Sequence, residues 1–200
     1  MDLWQSTHEH FRRGDVRAAV LELEQYLAGT DAQSFSSLIG ARFTNNKGEV
    51  LAILNQFLEQ ANSEFDVKAI YVEMNGFDIN YHRWYFDLFA YSSYDNDFDD
   101  NDWLCDWQPS PSDEVELEGM SLAQSAFAWY HTKRIWKSQR DFKPTYEAAM
   151  LLTMATFCLF MEEVVSSGAL IKNIPVLVTA HGFDSVARFN LGEPGPAGDR

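Results

Sequence analysis

Cysteine and positive charge are both scarce in this 200-residue chain. Two cysteines, Cys105 and Cys158, make no disulfide framework, so a stapled secreted scaffold is excluded and reduced thiols in a cytoplasm are expected. The opening MDLWQSTHEHFRRGD has no apolar centre of the kind a signal peptide needs. Ala148 to Met161 is apolar apart from Thr153 and Thr156, but that run is too short for a membrane span and reads as a buried helix. A phosphate-binding loop is missing too, since Gly40, Gly48 and Gly76 stand alone. No basic stripe with interleaved aromatics offers a nucleic-acid surface. No Ser or Cys motif marks a nucleophile.

Carboxylates are abundant. Thirty acids against fifteen bases give a net charge of −15. The imbalance sits in the middle third: from Ser63 to Glu118 fifteen acids face only Lys68 and Arg83. Tyr94 to Glu118, YDNDFDDNDWLCDWQPSPSDEVELE, holds ten carboxylates and no Lys or Arg. Charge this dense repels itself and weakens the compact state, so a use for it is expected. Its field repels nucleic acid and anionic lipid and attracts basic partners or cations. Apolar residues at 46% and aromatics at 14% supply a core, and the length suits one domain.

Along the chain, helical spacing of Trp4, Phe11, Val16, Val20, Leu23 and Leu27 predicts a hairpin over 1–28, broken at Gly14-Asp15. FRRGDVRAAVLELEQYL is similar to the middle of a tetratricopeptide repeat, but no second copy follows, so an ordinary helical pair is expected. Thr30 to Thr44 reads as irregular. Asn46 and Glu49 form a capping box ahead of a helix with Val50, Leu54, Phe57, Leu58 and Ala61 on one stripe. The period then changes. Val67–Met74 and Arg83–Tyr94 are rich in β-branched and aromatic residues and predict an antiparallel hairpin. Val115–Leu117 suits a short edge strand. A helix over 119–136, a long apolar helix over 145–166, and strands at Pro175–Ala180 and Val186–Asn190 follow. The expectation is one α+β domain over 1–192, with a mostly antiparallel sheet covered by helices in its 67–190 core and a flexible tail at 193–200.

The candidate site is the acidic stretch. Asp95, Asp97 and Asp99 alternate, and Asp106 falls at the twelfth place, which imitates a calcium loop. Asp100 stands where that loop's sharp turn wants glycine, Asp102 where a core residue belongs, and Asp106 reaches less far than glutamate. The spacing fits a protein-binding strip better: Asp95, Asp97, Asp99, Asp100, Asp102 and Asp106 steer a basic partner, and Trp103 and Trp107 anchor it. The competing fates are a solvated loop and simple burial of the tryptophans. A basic cluster at Lys133, Arg134, Lys137, Arg140 and Lys143 is a candidate internal screen for the strip.

Other titratable groups carry weaker signals. His8 and His10 lie two apart on a helix, the wrong spacing for one metal. His181 follows a strand in a turn, where local hydrogen bonds would satisfy it. Cys105 stands among carboxylates, a poor setting for a nucleophile, and Cys158 lies in the apolar helix.

WYFDLFAY, DWLCDW, LEGMSLAQSAF, the long apolar helix and PVLVTAHGFDSV together resemble, over roughly 67–190, the layout of immunity proteins that accompany bacterial polymorphic and contact-delivered toxins. Those are small, acidic, cytosolic α or α+β proteins without active sites. The resemblance implies a stoichiometric inhibitor that binds a toxin domain and blocks its active site, with no cofactor. It carries no individual residue's role. The alternatives are a carboxylate- or metal-dependent hydrolase using the acidic stretch with His181, and a calcium-stabilised scaffold.

Overall fold

Two strands with alternating faces set the architecture. In the computed structural model, which describes residues 2–30, 33–76, 81–98, 100–108, 113–138 and 142–190 (33, 34, 136 and 138 without side chains), β1 (Ala69–Asn75) and β2 (Tyr85–Tyr91) pair antiparallel from Ala69↔Tyr91 to Asn75↔Tyr85. Successive strand residues point to opposite faces. Ile70, Val72, Met74, Phe86, Leu88 and Ala90 therefore enter the main core, while Ala69, Tyr71 and Tyr91 build a second, smaller cluster.

The sheet order is β3-β2-β1-β4-β5, with β3 (Val115–Glu116) beside β2, and β4 (Val176–Ala180) and β5 (Ala187–Phe189) on the other side of β1. Three pairings are antiparallel, and β1–β4 is parallel. The protein is α+β with a mostly antiparallel sheet, as its pattern predicts. The parallel pair arises because β4 returns only after a helical crossover, the connection that parallel strands require. All five residues of β4 are buried, which explains its unbroken apolar reading.

The N-terminal hairpin forms as α1 (Leu3–Arg12) and α2 (Val16–Ala28), capped by Asp2 and Asp15 side chains. Gly14 adopts a φ of 69° between them, a conformation that costs glycine nothing. Within the stretch read as irregular, Gln33–Leu38 forms a 3₁₀ turn because Phe35 and Leu38 are drawn fully into the core. α3 (Lys47–Glu64) starts with Asn46 Oδ1 accepting from the Gly48 and Glu49 amides. The helix expected over 119–136 is two helices, α4 (Ser121–Thr132) and α5 (Ile135–Ser138), parted at Arg134, whose φ of 52° no helix tolerates.

α6 (Lys143–Ser166) is the axis of the helical layer. Fifteen of its residues are buried, so it is apolar on every side, and it packs against α1, α2, α3 and β4. It extends beyond its apolar run and is long and apolar enough, by length and composition, to cross a membrane; 78% of that window is buried inside the protein. The tail expected at 193–200 lies outside the described residues.

Candidate functional site

The helices cover one face of the sheet, and the acidic stretch covers part of the other. Beyond Tyr91 the chain turns back across the second face. Leu104 and Trp103 pack down onto Ala69, Tyr71, Tyr91 and Leu177. The Trp103 ring meets Tyr91 edge-on at 5.0 Å and Tyr94 at 5.7 Å. The Tyr91 hydroxyl donates to the Leu104 carbonyl at 2.8 Å. The Gln108 amide donates to the Ala90 carbonyl at 2.9 Å and returns the loop to β2.

Within the loop, apolar side chains face the sheet and carboxylates face water. Asp95, Asp97, Asp100, Asp102 and Asp106 are exposed, while Tyr94, Phe98, Trp103 and Leu104 are half-buried. Asp99 lies outside the described residues. Asp95 Oδ1 accepts from the Asp97 amide at 2.9 Å and Asp100 Oδ1 from the Asp102 amide at 3.0 Å. These are aspartate turns, in which the side chain imitates a turn backbone. They aim two of the carboxylates at the loop's own amides instead of at a shared centre. Asp102–Cys105 then forms a short 3₁₀ turn.

Arg188 on β5 ties the loop to the sheet, although the sequence reading gave it no role. It is only 5% exposed. Nη1 donates to the Asp95 carbonyl at 3.3 Å, and Nη2 donates to the Asp97 carbonyl and to Asn101 Oδ1. The guanidinium lies 4.1 Å from the centre of the Phe98 ring. Asn101 in turn donates to the Asp184 carbonyl at 3.2 Å. The available signal was Arg188 standing between the apolar Ala187 and Phe189, which in a strand places it alone on the opposite face.

The two tryptophans divide. Trp103 is turned into the second cluster and serves the fold. Trp107 packs edge-on against Phe89 at 5.5 Å yet stays 46% exposed. Asp95, Asp100, Asp102 and Asp106 make no ion pair among the described residues. Lys133, Arg134 and Lys143 make no ion pair with the strip among those residues, and Lys143 pairs with Glu147 at 3.4 Å. Arg140 lies outside the described residues.

A second polar group occupies the same face. Glu73 and Asp87 are directly opposed across β1 and β2. Asn75 Nδ2 donates to Asp87 Oδ2 at 2.7 Å, and His181 Nδ1 lies 3.1 Å from Glu73 Oε1. The turn histidine is thus held by a distant strand residue and not by its own turn. Burial pushes the Asp87 carboxyl up; the Asn75 hydrogen bond opposes the rise, and Glu114 and Glu73 add to it. Among the described residues no three His, Cys, Asp or Glu side chains group to hold a metal. Cys105 is exposed and Cys158 buried, where desolvation drives its thiol pKa well up.

Beyond the strip, a groove of about 340 Å³ runs between α3 and the sheet edge, with Phe57 and Leu88 as its floor and Asp113, Glu114 and Glu116 on its rim. Arg83 pairs with Glu114 at 2.6 Å beside it. Negative charge therefore borders the sheet at both ends of β2. No protein-family model, no curated protein and no solved structure matches the chain.

Proposed function

We propose that this protein is a non-catalytic, cytoplasmic binding module that captures a basic protein partner through the acidic strip, in the manner of an immunity protein neutralising a bacterial toxin domain. One observation carries the reading: the strip is held on the sheet by a buried arginine while its carboxylates stay exposed around Trp107. A fixed array of like charge steers an oppositely charged partner and sets its orientation before contact. A half-exposed tryptophan beside it supplies the large anchor that such interfaces use. Trp103 leaves the anchor set proposed from sequence, because its ring is committed to Tyr91 and Tyr94.

A toxin acting on nucleic acid or nucleotides has a basic cleft, and the strip matches that charge. The test is association with a toxin domain encoded beside this chain's own gene, followed by stopped flow. The wild-type rate falls as salt rises, because screening removes the steering. Replacing Asp97, Asp99, Asp100 and Asp102 together with Asn slows association about tenfold or more at low salt. An unchanged rate in that variant sinks the acidic-strip mechanism. Trp107→Ala instead raises dissociation, as loss of an anchor does.

A further inference from the structure

We propose that Arg188 is the internal cation around which the acidic strip is wound, and that it acts as the positioning residue for partner capture. The second half of this statement rests on the binding function proposed above; the first half stands on geometry alone.

Three observations converge. All three hydrogen-bond acceptors of Arg188 among the described residues come from one short segment: the carbonyls of Asp95 and Asp97 and the side chain of Asn101. The fourth contact, the Phe98 ring under the guanidinium, comes from the same segment. Arg188 is itself fixed, since it sits on a strand whose three residues are all buried and which pairs Leu177↔Arg188 with β4. A planar guanidinium with several divergent donors suits this task; a single ammonium reaches fewer acceptors in fixed directions.

Charge points the same way. A buried cation is costly unless something compensates it. Among the described residues the compensation comes from the Asp95 and Asp97 carbonyls and the Asn101 side-chain oxygen. A loop whose spacing imitates a metal loop is thus organised on a side chain from another strand. With the Asp95 and Asp97 carbonyls and the Asn101 oxygen taken by the guanidinium, the loop is expected to hold its form without calcium.

The proposal is tested by hydrogen exchange on the full chain, which needs no partner. In Arg188→Met, which keeps the apolar stem, amides of residues 92–108 exchange at least about tenfold faster while those of α6 keep their rates. Arg188→Lys, which keeps the charge, lies between Met and wild type, and it is read alone if the Met variant does not fold. Wild-type exchange in 92–108 is the same with millimolar calcium as with chelator. Unchanged loop rates in both variants, equal acceleration in α6, or slowing of the wild-type loop by calcium each overturns the assignment. With the toxin domain, Arg188→Met slows association although every carboxylate of the strip remains. If loop exchange responds but association keeps the wild-type rate, Arg188 still centres the loop and its positioning role in capture falls; if the wild type itself does not associate, the binding function falls while the loop assignment stands on exchange alone.

Discussion

Arg188 and Asp87 are both charged side chains drawn out of water, and their surroundings treat them oppositely. Among the described residues Arg188 is met by three acceptors and by the Phe98 and Tyr94 rings. Among the described residues Asp87 receives one side-chain hydrogen bond, from Asn75, and it faces Glu73 across the strand pair. Like charges directly opposed on a sheet cost roughly 0.2–1 kcal/mol. Because the native Asp87 pKa is raised, the folded state binds its proton more readily than the unfolded chain does. That contribution to stability is fully present below the usual value of 3.8 and is lost as pH rises through the native value. Asp87→Asn therefore raises the melting temperature by about 1–4 °C at neutral pH and changes little in acid, measured by calorimetry at both. The cysteines diverge in the same manner. Native alkylation labels exposed Cys105 and spares Cys158, whose thiol is buried and held against the Val178 carbonyl; mass spectrometry of the labelled chain checks this.

At the scale of elements, the α1–α2 hairpin is joined by one carboxylate. Glu22 accepts from the Ser6 hydroxyl at 2.7 Å and meets His10 Nε2 at 2.8 Å. The Ser6 hydrogen bond is the largest influence holding its pKa below the usual range; burial opposes it, and His10 adds to the lowering. A lowered native pKa contributes stability above the unfolded value of 4.5, and the contribution is lost as pH falls through the native one. Glu22→Gln is expected to destabilise by about 1 kcal/mol at neutral pH, with the difference vanishing in acid; urea unfolding at the two pH values checks it. The α4–α5 break has a different origin. Exposed bases continue past Thr132, but Arg134 takes a left-handed turn, and Ile135 beyond it packs into the core.

At the scale of the whole molecule, one apolar core extends from Leu3 to Phe189 and sustains a net charge of −15. Self-repulsion of that size is screened over about 10 Å at 0.1 M salt. Added salt is therefore expected to raise the melting temperature of the isolated protein while slowing its capture of a basic partner, two opposite responses from one field. Melting curves and association rates across the same salt series check the pair. The core itself tolerates little loss. Phe157, fully buried on α6 against Phe43 and Phe86, should cost about 3–5 kcal/mol when replaced by Ala, measured by chemical denaturation.

The sequence alone determined the helices and strands wherever a period was long and unmixed. The α3 stripe, the β1–β2 alternation and the apolar run of α6 each name their own element, because burial on one face imposes a spacing on the chain. It also located the acidic stretch, since charge density is a property of composition. It left out the parallel pairing of β4 with β1, which depends on a crossover spanning many residues. It also left open the fate of the two tryptophans, four residues apart in one loop, where no period tells inward from outward. Trp103 turns in and Trp107 stays half-exposed only because the loop lies across the second face of the sheet. The same holds for the cation of the strip. Short-range patterning offered Lys133–Lys143 as a candidate screen, whereas the tertiary fold brings Arg188 to the loop from a strand far along the sequence. Electrostatic partners are chosen by distance in space, and the sequence records only distance along the chain.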